Sequence, residues 1–174
     1  DGQRVTSLEV RDVACVVFKE TNKKIVDALE AQGAKAQGLI SNIFECTKAD
    51  PDLGYVGSIE SVDIKPVNEV LELDSIPVIA PVGFQGNEVL NINADIATVE
   101  LVKAINPYKA IFLSEIGGIF NKTGQLIPNI NLALEYSELM QEEWLHSGMN
   151  LKLEQIKSLL DHLVITSTIL PPGC

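Results

Sequence analysis

Polar side chains that could bind a ligand stand close together in the segment Asn91-Ile92-Asn93-Ala94-Asp95, which opens a predicted helix. Two interpretations of this segment stay open. In the first, Asn93 is the helix N-cap and Asp95 lies in the first turn, where the helix dipole favours a carboxylate. Capping leaves Asn91 unexplained. In the second, Asn91 and Asn93 direct their amides at a polar ligand, and Asp95, buried beside them, orients cationic groups.

A second polar segment, Ser114-Glu115-Ile116-Gly117-Gly118, follows a predicted buried strand. Ligands of open parallel sheets bind at the carboxyl ends of the strands. Two adjacent glycines let a backbone approach such a ligand closely. A plain tight turn also explains the glycines and is the simpler interpretation. The pattern is neither a dinucleotide fingerprint nor a Walker P-loop.

Lys152 is predicted to lie in the first turn of the last helix, after a break at Gly148-Met149-Asn150. A cation at that end of a helix opposes the helix dipole. A bound anion would reverse this penalty, because helix N-termini attract phosphate groups. The alternative is a solvent-exposed lysine that tolerates a small cost.

Other residue types that often do chemistry give weaker signals. His146 and His162 are not at metal-ligand spacing, and no Ser or Cys stands in a nucleophile–base arrangement. Cys15 falls on the apolar side of the first predicted helix and is expected in the core. A solvated helix face is the simplest interpretation of four glutamates: Glu135, Glu138, Glu142 and Glu143.

Alternating helices and buried strands must position these segments. Thr6 and Glu9 have the spacing of a capping box, with Thr6 as N-cap of a long amphipathic helix that ends near Gly33. Residues 42–54 are polar and turn-rich. Such an alternation is typical of an α/β fold with a mostly parallel sheet. The remaining predicted elements are strands at 55–63, 76–82, 110–113 and 164–169, and helices at 66–73, 93–106, 131–144 and 151–163.

Composition excludes several classes of protein. The chain has 174 residues, of which 46% are hydrophobic and 21% charged, so it should fold around a core. Its net charge of −11 argues against a nucleic-acid partner. No apolar run reaches the roughly 20 residues of a membrane span. Three widely spaced cysteines indicate a reducing compartment rather than a disulfide scaffold.

Taken together, these segments resemble the amino-acid kinase family, and within it the N-acetylglutamate kinases of the fungal mitochondrial type. The order and the separations of the segments also fit, so the resemblance covers nearly the whole chain. The Asn-x-Asn-Ala-Asp pattern is its most specific part. The segments that carry it are residues 2–6, 90–95, 113–119 and 148–152.

The resemblance implies a three-layer α/β/α sandwich with a mostly parallel sheet. It also implies transfer of the γ-phosphoryl group of ATP to the side-chain carboxylate of N-acetyl-L-glutamate, in arginine synthesis. By the match, Arg4, Asn91 and Asn93 bind the acid. Lys152 neutralises charge on the phosphates, and Asp95 organises the active-site lysines.

The same match implies ATP as a substrate, with Mg²⁺ held partly by its phosphates. The residues implied at the nucleotide are Ser114, Glu115, Gly117, Gly118, Gly148 and Met149. A homo-oligomer with arginine as a feedback effector is expected, without membrane or nucleic-acid partners. The implied compartment is the mitochondrial matrix, and otherwise the cytoplasm.

Residues 1–174 are expected to form one partial kinase domain. The family's Gly-rich loop with its first lysine precedes the matched region, and a further C-terminal nucleotide contact follows it. We therefore expect no phosphorylation by these residues alone. Ser114-Glu115-Ile116 departs from the usual Thr/Ser-Asp-Val and leaves a second hypothesis open: the arginine-sensing, kinase-like domain of an N-acetylglutamate synthase. A carbamate or aspartate kinase is disfavoured by Arg4 and the Asn-x-Asn-Ala-Asp segment.

Overall fold

The computed structural model describes residues 5–113, 117–142, 145, 147–162 and 166–170. The helices are α1 (Leu8–Ala31), α2 (Lys65–Glu72), α3 (Ala94–Ile105), α4 (Leu132–Leu139) and α5 (Ser147–His162). The strands are β1 (Ala36–Leu39), β2 (Phe44–Lys48), β3 (Gly57–Val62), β4 (Ile76–Ile79), β5 (Val82–Gln85), β6 (Glu88–Asn91), β7 (Lys109–Leu113) and β8 (Thr166–Leu170). A single 3₁₀ turn covers Pro51–Leu53.

The strands form parallel pairs and one mixed sheet. β1 pairs with β4 in parallel, and β7 pairs with β8 in parallel. A four-stranded sheet has the order β3-β2-β5-β6, in which β2 and β5 are parallel and the two outer pairings are antiparallel. The predicted α/β class is therefore confirmed.

The chain divides into two compact units. The N-terminal unit runs from Gln3 to Ala104, and the C-terminal unit comprises Asp1–Gly2 and Ile105–Cys174. The apolar side chains that are almost completely buried in the N-terminal unit include Phe44, Val67, Leu90 and Val99. Those of the C-terminal unit include Ala110, Phe112, Leu153, Ile156 and Leu159.

Helix α1 forms as predicted, but its cap and its packing differ from the prediction. Ser7 is the N-cap and accepts a hydrogen bond from the N–H of Val10 at 3.3 Å, so Thr6 is not the cap. Val13 is 64% exposed, and Val10 and Val17 are also exposed. Cys15, expected in the core, is half-buried. The apolar spacing marked a helix correctly but overestimated how much of its side is covered.

Two strand predictions need correction. The polar stretch 42–54 contains β2, in which Phe44 and Cys46 are buried while their neighbours are exposed. This alternation is the ordinary signature of a half-buried strand. The apolar run 76–82 is not one strand. It divides into β4 and the start of β5, which belong to different sheets, and Ala80 and Pro81 lie between them.

The helix predicted at 131–144 is shorter than expected. Helix α4 ends at Leu139. Beyond it, Gln141 N–H donates to Glu138 O at 3.1 Å and Glu142 N–H donates to Leu139 O at 3.2 Å. These three-residue spacings tighten the last turn and end the helix. In the described part of the chain, no helix is both long and apolar enough to span a membrane.

Candidate functional site

Asn91 is the last residue of β6, and both its backbone and its side chain are held. Its N–H donates to Tyr55 O at 2.8 Å, and it pairs with Val82 of β5. Its side-chain Nδ2 donates to Thr6 Oγ1 at 3.2 Å. The amide of Asn91 is therefore oriented by the protein at the carboxyl end of β6, opposite the first residue of β5.

Thr6 is the residue that the sequence analysis misinterpreted. It is fully buried, with 0% of its surface exposed. Its N–H donates to Leu53 O at 2.9 Å, and its carbonyl accepts from the N–H of Tyr55 at 2.8 Å. Thr6 thus joins the start of the chain to the loop before β3 and to Asn91. The spacing of Thr6 and Glu9 matches a capping box, so the sequence predicted a helix cap and not these long-range hydrogen bonds of Thr6.

Asn93 caps α3, as the first of the two interpretations proposed. Its Oδ1 accepts from the backbone N–H of Asp95 at 2.9 Å and of Ile96 at 3.2 Å. The side-chain oxygen is thus committed to the helix N-terminus. Asp95 lies in the first turn of α3, as predicted, and it is half-buried rather than buried.

Two cations that the sequence analysis missed lie against the ring of Tyr55. Arg11 Cζ is 4.6 Å and Lys48 Nζ is 4.7 Å from the ring centroid. A hydrogen bond to Asp12 raises the pKa of Arg11 above its ordinary value. These cation–π contacts help to hold Tyr55 in place. The carbonyl oxygen of Tyr55 accepts the hydrogen bond from the N–H of Asn91. Their residues are far apart in the sequence, so no local signal pointed to them.

In the C-terminal unit, Lys152 lies in the second turn of α5 and not in the first. The helix begins at Ser147, so Gly148, Met149 and Asn150 belong to its first turn and do not break it. The helix-dipole penalty falls off within the first turn. The electrostatic reason for singling out Lys152 is therefore weaker than the sequence indicated.

The side chain of Lys152 lies against β7. Its Nζ is 5.2 Å from the centroid of the Phe112 ring. Phe112 is the penultimate residue of β7 and precedes Ser114 by two positions. The ammonium group thus lies near the carboxyl end of the strand that leads into the predicted nucleotide segment.

Gly117 and Gly118 occupy backbone conformations that favour glycine, with φ values of 73° and 156°. A Cβ on Gly118 would lie 2.4 Å from Leu126 Cδ1. A tight turn packed against Leu126 therefore accounts for Gly118. The role of both glycines at a nucleotide stays a prediction. Arg4, Ser114 and Glu115 lie outside the described residues.

Two buried side-chain oxygens in the described part of the chain have no hydrogen-bond partner: Asn150 Oδ1 and Ser167 Oγ. Buried polar atoms are nearly always paired, so each such atom needs a reason. Asn150 directly follows Met149 and precedes Lys152 by two residues.

An open groove of about 590 Å³ lies beside α4 and α5. Lys157 forms an ion pair with Asp161 there, and burial raises the pKa of Tyr136, with a further contribution from the charge of Glu154. Lys152 and Asn150 are not among its lining residues. The groove is lined by Leu132, Leu134, Tyr136, Ser137, Glu154, Lys157, Ser158 and Asp161.

The structure thus joins Thr6 with Asn91, and Asn93 with Asp95, within the N-terminal unit. Lys152 belongs to the C-terminal unit, so its convergence with Asn91 and Asp95 stays a prediction. Among the described residues, no group of three or more His, Cys, Asp or Glu side chains could hold a metal ion. His146 lies outside the described residues.

A sequence profile described as the amino acid kinase family matches residues 2–171. The chain belongs to this family. It is 43% identical over 171 residues to an acetylglutamate kinase of Xylella fastidiosa, covering 97% of this chain and 41% of that protein. It is 37% identical over 175 residues to the bifunctional protein argC, mitochondrial, of Dictyostelium discoideum, covering 99% of this chain and 20% of that protein. The chain therefore spans well under half the length of these relatives.

The crystal structure of the N-acetylglutamate synthase of Neisseria gonorrhoeae with coenzyme A and N-acetylglutamate is also similar, with a TM-score of 0.84. The sequence identity is 18%, and the match covers 96% of this chain and 39% of that one. At this identity the likeness is one of fold. It agrees with the amino-acid kinase architecture expected from the sequence.

Proposed function

We propose that the chain is part of an N-acetylglutamate kinase. The observation that supports this best is the Asn91–Asp95 segment, where an amide held by Thr6 is followed at once by the capped N-terminus of α3. A held amide and a helix N-terminus at one strand end suit a small acid, because the helix dipole favours negative charge. The 43% identity to an acetylglutamate kinase over nearly the whole chain supports the same conclusion.

The proposed reaction is a single phosphoryl transfer. An oxygen of the substrate's side-chain carboxylate attacks the γ-phosphorus of ATP, and the bond from phosphorus to the β–γ bridging oxygen breaks. The products are ADP and an acyl phosphate. No general base is needed, because the attacking carboxylate is already ionised at neutral pH. The protein's tasks are to position the two substrates and to neutralise the developing charge.

Each residue has one of these tasks. Arg4 holds a carboxylate of the acid with its planar guanidinium group. Asn91 holds the acetylamino group beside it, and Asn93, whose Oδ1 caps α3, contributes through its Nδ2. Lys152 neutralises the phosphates, while Asp95 orients the lysine cations and accepts no proton.

The nucleotide is proposed to lie along the end of β7 and the first turn of α5. The observation that supports this placement is Lys152 Nζ, which lies 5.2 Å from the centroid of the Phe112 ring near the end of β7. Mg²⁺ would reach the site with ATP, held by the phosphates, and would supply charge neutralisation there. The residues proposed to contact the nucleotide are Ser114, Glu115, Gly117, Gly118, Gly148 and Met149.

The test is an assay of the full-length protein with MgATP and hydroxylamine, which converts an acyl phosphate into a hydroxamate that is measured as its coloured iron(III) complex. We expect hydroxamate with N-acetyl-L-glutamate and less than a hundredth as much with L-aspartate or unacetylated L-glutamate. Carbamate kinase activity is assayed in parallel by ADP release. Equal rates with L-aspartate, or no product with N-acetyl-L-glutamate, would contradict the proposal.

The second candidate is an arginine-sensing domain without phosphoryl transfer. Its support is the fold likeness to the Neisseria synthase crystallised with coenzyme A and L-arginine, at a TM-score of 0.77 and 19% identity. Calorimetry on the full-length protein separates the two candidates. A kinase binds MgATP, whereas binding of L-arginine without any binding of MgATP would favour the sensor.

Compartment and assembly follow from the kinase proposal. Relatives named as mitochondrial, such as arg11 of Schizosaccharomyces pombe at 37% identity, support a mitochondrial matrix protein. We also propose a homo-oligomer with arginine as feedback effector. Light scattering of the full-length protein with and without arginine tests the assembly.

A further inference from the structure

We propose that Thr6 is a positioning residue for substrate binding, acting through the side-chain amide of Asn91. This inference rests on the proposed function, in which Asn91 holds N-acetylglutamate. All of the residues that carry it lie in the N-terminal unit. From the sequence alone, Thr6 is expected only to cap the first helix.

Thr6 is held in place by burial and by backbone hydrogen bonds. It is fully buried, and its backbone N–H and carbonyl are bonded to Leu53 and Tyr55 on either side of Gly54. A Cβ on Gly54 would lie 2.5 Å from Thr6 O, and Gly54 has φ +69°. The close approach of the two backbones therefore depends on glycine, and it fixes the position from which the Thr6 hydroxyl acts.

The hydroxyl group of Thr6 sets the orientation of the whole side-chain amide of Asn91. An asparagine amide is planar and carries two donor hydrogens on Nδ2 and one acceptor, Oδ1. Holding Nδ2 at 3.2 Å from Thr6 Oγ1 therefore sets the direction of Oδ1 and of the second hydrogen as well. The backbone of Asn91 is held independently by Tyr55 O, so rotation about the side-chain bonds is the freedom that Thr6 removes.

An acetylated amino acid offers an N–H donor, an acetyl carbonyl and carboxylate oxygens. A fixed amide can pair with a donor and an acceptor of such a ligand at once, whereas a rotating amide must first be ordered at an entropic cost.

The test uses full-length protein and steady-state kinetics of three variants. Thr6→Val keeps the shape but removes the hydroxyl, and Thr6→Ser keeps the hydroxyl. Thr47→Val is the control, since it removes an exposed threonine hydroxyl that bonds Glu60 in the same unit. We expect Thr6→Val to raise the KM for N-acetylglutamate about tenfold, the loss of roughly one oriented hydrogen bond. The KM for MgATP, and all constants of the other two variants, should stay within about twofold.

A second measurement separates positioning from general loss of structure. In an Asn91→Ala background, Thr6→Val should not raise the KM for N-acetylglutamate further, because Thr6 acts through Asn91. If Thr6→Val does not fold, Thr6→Ala replaces it in both comparisons. An unchanged KM in the folded variant, or an additive effect in the Asn91→Ala background, overturns the proposal for Thr6 while the kinase function stands. An inactive parent protein overturns the proposed function and the role of Thr6 together.

Discussion

The two candidate regions, one at Asn91 and the other at Lys152, differ in how far the protein satisfies their polar groups. In the N-terminal unit, the amide of Asn91 is bonded to Thr6 and the amide oxygen of Asn93 caps α3. In the C-terminal unit, Asn150 Oδ1 is buried without a partner, two residues before Lys152. The first region is oriented before any ligand arrives, whereas the second keeps one buried oxygen without a hydrogen bond. We infer that binding of the acid depends on a preformed site.

The largest expected effects are those of substitutions in the two regions, and each region should control a different kinetic constant. Lys152→Ala should lower kcat about 100- to 1000-fold, since it removes a charge that acts on the transferring phosphoryl group. Asn91→Ala should instead raise the KM for N-acetylglutamate about tenfold or more. Steady-state kinetics of full-length variants measures both.

The control for Lys152 is Lys157→Ala, which removes another lysine of α5, one that pairs with Asp161 in the open groove. Its kcat should remain within about twofold of the parent value, as expected for a partly exposed ion pair. An unchanged kcat in Lys152→Ala would remove Lys152 from the proposed site. A kcat effect in Lys157→Ala of similar size would instead indicate a general disturbance of α5.

The next effect tests whether the Asn91 region is rigid because of Gly54. Gly54→Ala should lower the free energy of unfolding by about 3 kcal/mol, because the new Cβ meets Thr6 O and the positive φ is strained. Gly86→Ala is the matched control, with φ +57° and nothing within 4 Å of the new Cβ. It should cost only about 1 kcal/mol. Urea unfolding of both variants gives the difference, and equal losses would show that the contact with Thr6 can relax.

How much of this site the sequence predicts depends on the range of the interactions. The capping role of Asn93 was readable, because an N-cap bonds residues two and three positions along. The role of Thr6 was not, because its hydroxyl meets a residue 85 positions away. The local sequence pattern instead predicted that Thr6 is the N-cap of the first helix.

The fold shows the same limit. The spacing of Val13 and Val17 predicted α1 correctly, but periodicity does not tell what covers a helix side, and these valines are exposed. Strand β2 was missed because polar neighbours masked the alternation of Phe44 and Cys46. The start of α5 was placed too late because Gly148 was interpreted as a break. The presence of a helix was therefore predicted better than which of its side chains are buried.

A smaller effect tests whether the unpaired oxygen of Asn150, near Lys152, lowers the stability of the fold. Asn150→Leu should raise the free energy of unfolding by about 1 kcal/mol, because it removes a buried oxygen that has no partner. Asn68→Leu, at an exposed position inside α2, measures the gain from helix propensity alone and should give about half as much. Urea unfolding without nucleotide checks both. A loss of stability in Asn150→Leu would show that the oxygen is satisfied.

The smallest effect concerns the packing of the sheet that carries Asn91. Cys46 is 2% exposed, and a Cβ on Gly83 would lie 2.4 Å from its Sγ, so the thiol is closely packed between strands. Burial raises the pKa of Cys46 from 9.0 to about 11. The neutral thiol is therefore favoured in the folded state. The unfolded state gains stability as its thiol ionises above pH 9, so folding stability should fall as the pH rises from about 9 toward 11.

The expected loss from this thiol is at most about 1 kcal/mol at pH 9.5, since solvent screening can only reduce it. Unfolding of the parent and of Cys46→Ala, measured at pH 7 and at pH 9.5, isolates the contribution, because lysines and tyrosines titrate in both proteins. The stability gap between the two proteins should narrow at the higher pH. A gap that stays constant would mean that the thiolate is tolerated between the strands, and that the sheet beneath Asn91 is looser than its packing indicates.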